Sequence, residues 1–359
     1  MLAVLASCAT RIAYIPTVGE GFRIPAGFRI VGYFPSWSGD PATVQYRALT
    51  HVCYAFGAPT KEGGYEPIQR EAVLADLTAR AHAEGVKVFL SFGGWNDGGP
   101  NAYTAIASDP ALTAAFLDGV MELVGRLGLD GIDVDWEFPK EDSAGIFADL
   151  MHALSTRLHA AGKELSIAVA ATDVRGRFYR DSIIADVDFL NIMAYDDGYG
   201  LGPEVNHSAY WFARESLDYW LGRRGVPREK AVLGVPFYGR SLKDRGAVTF
   251  SYLRGRDDRA AASDVSQGYG YNGFDTLRAK AVNQARVRAG GIMIWQLSQD
   301  AEGTDSLLNA IYDAVKEPVV TRPAGTEPAS APYVPEVGEP PMRPGAAGPD
   351  WTAAEPVAP

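Results

Sequence analysis

Eight short apolar runs, alternating with longer segments of helical pattern, predict a closed (β/α)8 barrel for the middle of this 359-residue chain. The eight units span roughly 250 to 300 residues, the size of one such barrel, and an acidic cluster falls at the end of one run, where barrels of this kind carry their chemistry. Before them, residues 1–27 read as an apolar leader followed by an irregular tether. The strands are then expected at Arg29 to Phe34, Leu49 to Phe56, Val86 to Phe92, Gly131 to Glu137, Leu165 to Ala171, Phe189 to Ala194, Ala231 to Phe237 and Gly291 to Leu297. Between them, segments such as Ala111 to Leu127 and Ile146 to Ala161 place apolar residues at helical spacing. The barrel domain is taken as residues 28–315, and 316–359 as a disordered tail, because Pro, Ala, Gly and Glu replace any apolar periodicity there.

The fourth run is the most informative. Asp130-Gly131-Ile132-Asp133-Val134-Asp135-Trp136-Glu137 sets carboxylates at alternate positions within an apolar stretch. On a strand, Asp133, Asp135 and Glu137 share one face while Ile132, Val134 and Trp136 take the other. Carboxylates this crowded cannot all ionise freely, so at least one is expected to hold its proton near neutral pH and to act as a general acid. A solvated edge strand would also alternate acid and apolar residues. Gly128-Leu129 before the run and Phe138-Pro139 after it suit instead a buried strand that ends abruptly in a loop.

Composition narrows the field. A net charge of −11 argues against nucleic acid and anionic membrane surfaces as partners, since both need basic patches. With two cysteines, Cys8 and Cys53, no disulfide framework holds the fold, and Cys53 in its apolar run reads as a buried, inert thiol. Cys8 follows Leu5-Ala6-Ser7, which resembles a lipoprotein signal with a lipid anchor on the cysteine, although no basic residue precedes the run. Either the start lies upstream or this is an ordinary apolar N-terminus. The expectation is an exported protein, lipid-anchored or secreted, and a monomer. The five histidines show no ligand spacing, so neither a metal nor a cofactor is expected.

Taken together the strands resemble the family 18 glycoside hydrolases. The resemblance rests on Asp130 to Glu137 in the fourth strand, with Gly32-Tyr33-Phe34 in the first, Tyr54-Ala55-Phe56 in the second and Ser91-Phe92-Gly93-Gly94-Trp95 in the third. Met193-Ala194-Tyr195-Asp196 in the sixth, Gly234 to Arg240 in the seventh and Trp295 in the eighth complete it. It implies that Glu137 protonates the glycosidic oxygen and that the substrate's own 2-acetamido oxygen attacks the anomeric carbon. Asp135 would orient the acetamido N–H and share a proton with Asp133. Tyr195 would bind the acetamido carbonyl, Asp196 the distorted sugar or the leaving-group side, and Trp295 the floor of that subsite. Tyr33, Phe56, Met193 and Arg240 are further substrate-contact candidates, and Trp95 is either a stacking platform or a lid; Tyr195 and Trp295 could also be plain core residues.

Three more implications follow from the resemblance. Non-proline cis peptides are expected at Ala55-Phe56, Glu137-Phe138 and Trp295-Gln296. About 50 residues separate Arg240 from Gly291, too few for the α+β insertion domain of many relatives, which implies an open cleft. The substrate would be chitin or another N-acetylglucosamine-containing oligosaccharide. A chitinase, an endo-β-N-acetylglucosaminidase acting on glycoprotein or cell-wall glycans, and a non-catalytic chitin-binding lectin all remain open, although the presence of Glu137, Asp135 and Tyr195 together disfavours the last.

Overall fold

The computed structural model describes residues 21–95, 99–196 and 205–318. The expected leader, the candidate lipid anchor at Cys8 and the expected tail beyond 318 lie outside the described residues. Eight parallel strands close on themselves: β1 (Arg29–Pro35), β2 (His51–Gly57), β3 (Lys87–Gly93), β4 (Gly131–Asp135), β5 (Glu164–Ala170), β6 (Phe189–Met193), β7 (Ala231–Pro236) and β8 (Gly291–Trp295). Closure comes from β8, which pairs with β1 from Gly291↔Arg29 to Ile294↔Gly32 and with β7 from Gly291↔Val232 to Trp295↔Pro236. At the seam Gly291 has φ +134°, and a Cβ there would meet the Arg29 carbonyl oxygen at 1.9 Å, so the closure admits only glycine. Among the described residues no helix is long and apolar enough to cross a membrane.

Helices cover the outside of the barrel, and their ends are written in the sequence. In Pro110–Leu127, Asp109 accepts hydrogen bonds from the Ala111 and Leu112 amides, Pro110 occupies the first turn, and Gly128 ends the helix at φ 64°. Its apolar stripe, with that of Ala144–Ala160, packs on Ile132, Val134 and Trp136. Trp136 stacks on Tyr103 at 5.1 Å and meets Phe147 edge-on at 5.0 Å. The barrel interior is a separate apolar cluster of Val31, Tyr33, Cys53, Ala55, Phe89, Ala168, Phe189, Met193, Val232 and Met293.

Four departures from the sequence reading bear on the site. The first β/α unit has no full helix, and two single 3₁₀ turns, Pro41–Thr43 and Tyr46–Ala48, connect β1 to β2. Strand β4 ends at Asp135 rather than Glu137, while the Ala55-Phe56, Glu137-Phe138 and Trp295-Gln296 peptides are cis, as expected. The connection from β7 to β8 holds, besides the helix Phe274–Arg286, a small antiparallel sheet of Ala247–Thr249, Tyr238–Ser241, Tyr269–Gly270 and Val265–Ser266. Finally, Phe22–Arg23 pairs with Glu317–Pro318, with Arg23 donating to Glu317 at 2.8 Å. This ribbon joins the segment before β1 to the segment after the last helix.

Candidate active site

Alternation along β4 lifts three carboxylates up the barrel axis, each into a different environment. Asp133 is lowest and fully buried. Its Oδ2 accepts from the Tyr33 hydroxyl and from Ser91 Oγ, both at 2.7 Å, and its Oδ1 from Ser166 Oγ at 2.6 Å and Asn191 Nδ2 at 3.3 Å. Burial pushes this carboxyl up, and the four hydrogen bonds pull against that. Asp135 is also buried, and its Oδ1 has no hydrogen-bond partner among the described residues. Burial first, then the neighbouring Glu137 and Asp133, holds it well above the usual carboxylate range.

Glu137 stands half-buried at the rim. Burial raises its carboxyl to about 7, with Arg175 pulling down and Asp196 pushing up. Gly93, at the end of β3, has φ +114°, and a Cβ there would lie 2.2 Å from the Asp135 carbonyl oxygen. That close approach lets the Gly94 amide bond the same carbonyl at 2.9 Å and holds the end of β4 in place.

Across the site, Asp196 follows β6 at φ 58°. Its Oδ1 accepts from Arg240 Nε at 2.7 Å and lies 3.0 Å from His207 Nδ1, while its Oδ2 accepts from the Tyr238 hydroxyl at 2.7 Å and Arg240 Nη2 at 2.5 Å. Burial alone would raise this acid, but the bonds from Arg240 and His207 outweigh it and hold the carboxyl well below its ordinary value. Asp196 is thus held as an anion, and its charge adds to the burial that raises Glu137. The Tyr195 hydroxyl, kept protonated by burial and by Asp135, makes a 3.9 Å contact with Met293 Sδ. Trp295 stacks on Phe56 at 5.5 Å and meets Tyr33 edge-on at 5.6 Å.

This is a site with three carboxyls raised by burial along β4, one carboxylate held low by its partners and an aromatic floor, and the family model of glycosyl hydrolases family 18 matches residues 29–300 around it. The chain belongs to that family. Mouse chitotriosidase-1 is 24% identical over 341 residues, covering 76% of this chain and 73% of the mouse protein. A chitinase-like effector of Moniliophthora roreri is 31% identical over 236 residues, 58% of this chain and 57% of that one. Among solved structures, a family 18 chitinase from the chitin utilization locus of Flavobacterium johnsoniae is 28% identical with a TM-score of 0.71, covering 80% of this chain and 93% of that one.

In this chitinase-like glycosidase the structure brings together Tyr33, Phe56, Asp133, Asp135, Glu137, Met193, Tyr195, Asp196, Arg240 and Trp295. Met193 lines the interior wall rather than the rim. Arg240 reaches the site as the partner of Asp196. Trp95 is 62% exposed at the end of β3 and makes none of the described ring contacts with the aromatic floor.

Several residues at the site were not anticipated. Ser166 and Asn191 could have been found, since each is a polar residue at an inward position of an otherwise apolar strand. Trp37, 51% exposed, extends the floor through ring contacts with Phe56 at 6.3 Å and Trp295 at 6.4 Å. His207, inside the Asn206-His207-Ser208 sequon, is a buried partner of Asp196, and Asn206 itself bonds the Tyr271 carbonyl at 2.6 Å.

Lys280 is the least expected group. Fully buried on Phe274–Arg286, its Nζ donates to Ser208 O at 2.8 Å, Ser208 Oγ at 2.9 Å and Asn272 Oδ1 at 2.7 Å, all neutral acceptors. Ser208 in turn donates to the carbonyl of Ala194, just before Tyr195 and Asp196. Burial lowers the lysine to about 7, against a smaller upward pull from Asp264. Between there and its ordinary value of 10.5 the folded chain binds fewer protons than the unfolded one, so this group makes stability rise with pH in that window. Urea unfolding of Lys280→Met at pH 7, 8.5 and 10 is expected to show the wild type gaining on the variant by up to about 1.4 kcal/mol per pH unit. Parallel pH dependences would contradict the assignment.

Proposed function

We propose that this enzyme cleaves β-1,4-linked N-acetylglucosamine in chitin oligosaccharides, with retention and with the substrate's acetamido group as nucleophile. The observation that carries this reading is the environment of Glu137: a half-buried carboxyl raised to about 7, set directly above an acid whose Oδ1 is unsatisfied. A protonated Glu137 gives its proton to the glycosidic oxygen as that bond breaks, and the acetamido carbonyl oxygen closes on the anomeric carbon. Asp135 passes its proton to Asp133 below it, and as a carboxylate its Oδ1 accepts the acetamido N–H and balances the positive charge of the cyclic intermediate. Tyr195, whose hydroxyl has only a weak sulfur contact among the described residues, donates to the acetamido oxygen. Glu137, now a carboxylate, takes a proton from the water that opens the intermediate, which restores both acid and sugar stereochemistry.

The other groups support these steps. Asp133 carries the protons the pair above it exchanges. Trp295 gives an apolar face to the reacting sugar, Trp37 continues that face along the chain, and Asp196 acts as an anion that adds to the burial raising Glu137 rather than as a second acid. The chitinase names of the relatives point the same way.

The test is release of chromophore from 4-nitrophenyl chitobioside and chitotrioside beside deglycosylation of a high-mannose glycoprotein. Cleavage of the chito-oligosaccharides is the expected result. Deglycosylation alone would assign the enzyme to glycoprotein glycans, and chitin binding without hydrolysis would make it a lectin.

A further inference from the structure

Past the end of β5 this acidic protein turns basic. Asp173-Val174-Arg175-Gly176-Arg177-Phe178-Tyr179-Arg180 carries three exposed arginines in a chain of net charge −11. The acids flanking the turn are engaged elsewhere, Asp173 by Arg223 at 3.7 Å and Asp181 by Arg224 at 2.6 Å. Arg177 lies over Phe178, its guanidinium carbon 4.7 Å from the ring centroid. Arg175 lies over Phe138, also at 4.7 Å, and Phe138 is the residue joined to Glu137. Among the described residues no carboxylate lies within ion-pair distance of Arg175.

Position around the barrel gives this guanidinium a meaning. The aromatic floor, Trp295, Tyr33, Phe56 and Trp37, belongs to β8, β1, β2 and the turn after β1, whereas Glu137 and Arg175 follow β4 and β5. Along the arc β8-β1-β2-β3-β4-β5 the acid comes after the floor and before Arg175, and Arg175 is near enough to Glu137 to pull its carboxyl down. A glycan laid along this arc from Trp295 past Glu137 would bring its departing sugar towards Arg175. A guanidinium over a ring face still has N–H groups to donate, and their fork matches a carboxylate in a two-point bond.

We propose that Arg175 recognises a carboxylate on the leaving side of the cleaved linkage, so that the enzyme favours acidic N-acetylated glycans over neutral chitin. This rests on Glu137 being the proton donor. Stacking on Phe138 holds the arginine in place before substrate arrives, which reduces the rotamer entropy lost on binding. The exposed guanidinium of Arg177 provides a second positive charge on the same turn.

The test compares two soluble polymers matched in length and degree of 6-O-substitution, carboxymethyl chitin (anionic) and glycol chitin (neutral), with the full chain and with Arg175→Ala and Arg175→Lys. The readout is the ratio of kcat/KM values, in which any change in the titration of Glu137 cancels. The wild-type ratio is expected to exceed one at low salt and to fall in 0.5 M NaCl. Arg175→Ala is expected to lower it about tenfold, as befits loss of a charge-assisted hydrogen-bonded pair, and Arg175→Lys to recover part of it. An identical ratio in wild type and Arg175→Ala would overturn the inference and leave the chitinase reading standing. Failure of the wild type to cleave either polymer would overturn both.

Discussion

Glu137→Gln is expected to reduce kcat on chitotetraose by about 10³–10⁴-fold, while chitin-oligosaccharide binding and the far-ultraviolet circular dichroism stay as in the wild type. A positioned general acid contributes about 10²–10⁴, and here the same side chain also serves as base in the second step. With 4-nitrophenol as leaving group the first step needs less protonation, so the loss on a chromogenic chitobioside should be smaller than on chitotetraose. Equal losses on both would mean that the side chain matters for something other than proton delivery to the leaving oxygen.

The same substitution has a thermodynamic signature. A carboxyl raised from 4.5 to about 7 binds more protons folded than unfolded between those values, so it costs stability as pH rises through that window. Glutamine removes the cost. Glu137→Gln should therefore unfold at a higher temperature than wild type at pH 8, a gain of at most about 3 kcal/mol, and show little gain at pH 4.5. A variant that is less stable at pH 8 would show that Glu137 is held by contacts and not strained by burial.

What the sequence revealed of this site follows from where periodicity exists. A strand in a closed barrel alternates between the axis and the surrounding helices, so Asp133 and Asp135 could be placed on one face from spacing alone, whereas Tyr33, in a uniformly apolar run, was reached only through the family resemblance. Glu137 kept the same direction although β4 ends two residues earlier, because it continues the alternation to the rim. Loops and helix faces bear no fixed relation to the barrel axis. Nothing in the spacing of His207, Arg175 or Lys280 shows that the first grips Asp196, the second overlies Phe138 and the third anchors Ser208. Trp37 was hidden for a related reason: the 3₁₀ turns that replace the first helix let the segment after β1 fold back over Phe56, a local shortening that the alternation of strand and helix patterns does not encode. The small sheet after β7 escaped notice because its strands are two to four residues long, too short for a period to show.

The second large effect is expected from Asp135→Asn, which should lower kcat by about 10²–10³-fold, the usual loss when a charge-stabilising group aimed at the reacting centre is removed. Its pH dependence says more than its rate. In the wild type, kcat/KM on a chitobioside should decline above about pH 7, because Glu137 must begin protonated. It should also decline on the acid side, where the buried pair of Asp135 and Glu137 takes up its second proton and no carboxylate is left to accept the acetamido N–H. Asparagine leaves one titrating member of the pair. The acid limb should then disappear, while an alkaline limb remains that Glu137 alone sets, with burial and Asp196 holding it up and Arg175 pulling it down. Asparagine can still orient the acetamido group through its amide oxygen, but without the negative charge that balances the cyclic intermediate, so the loss should fall on kcat more than on KM. A pH profile from 3 to 10 that keeps its acid limb in Asp135→Asn would move that ionisation to Asp133, and with it the place where the second proton is stored.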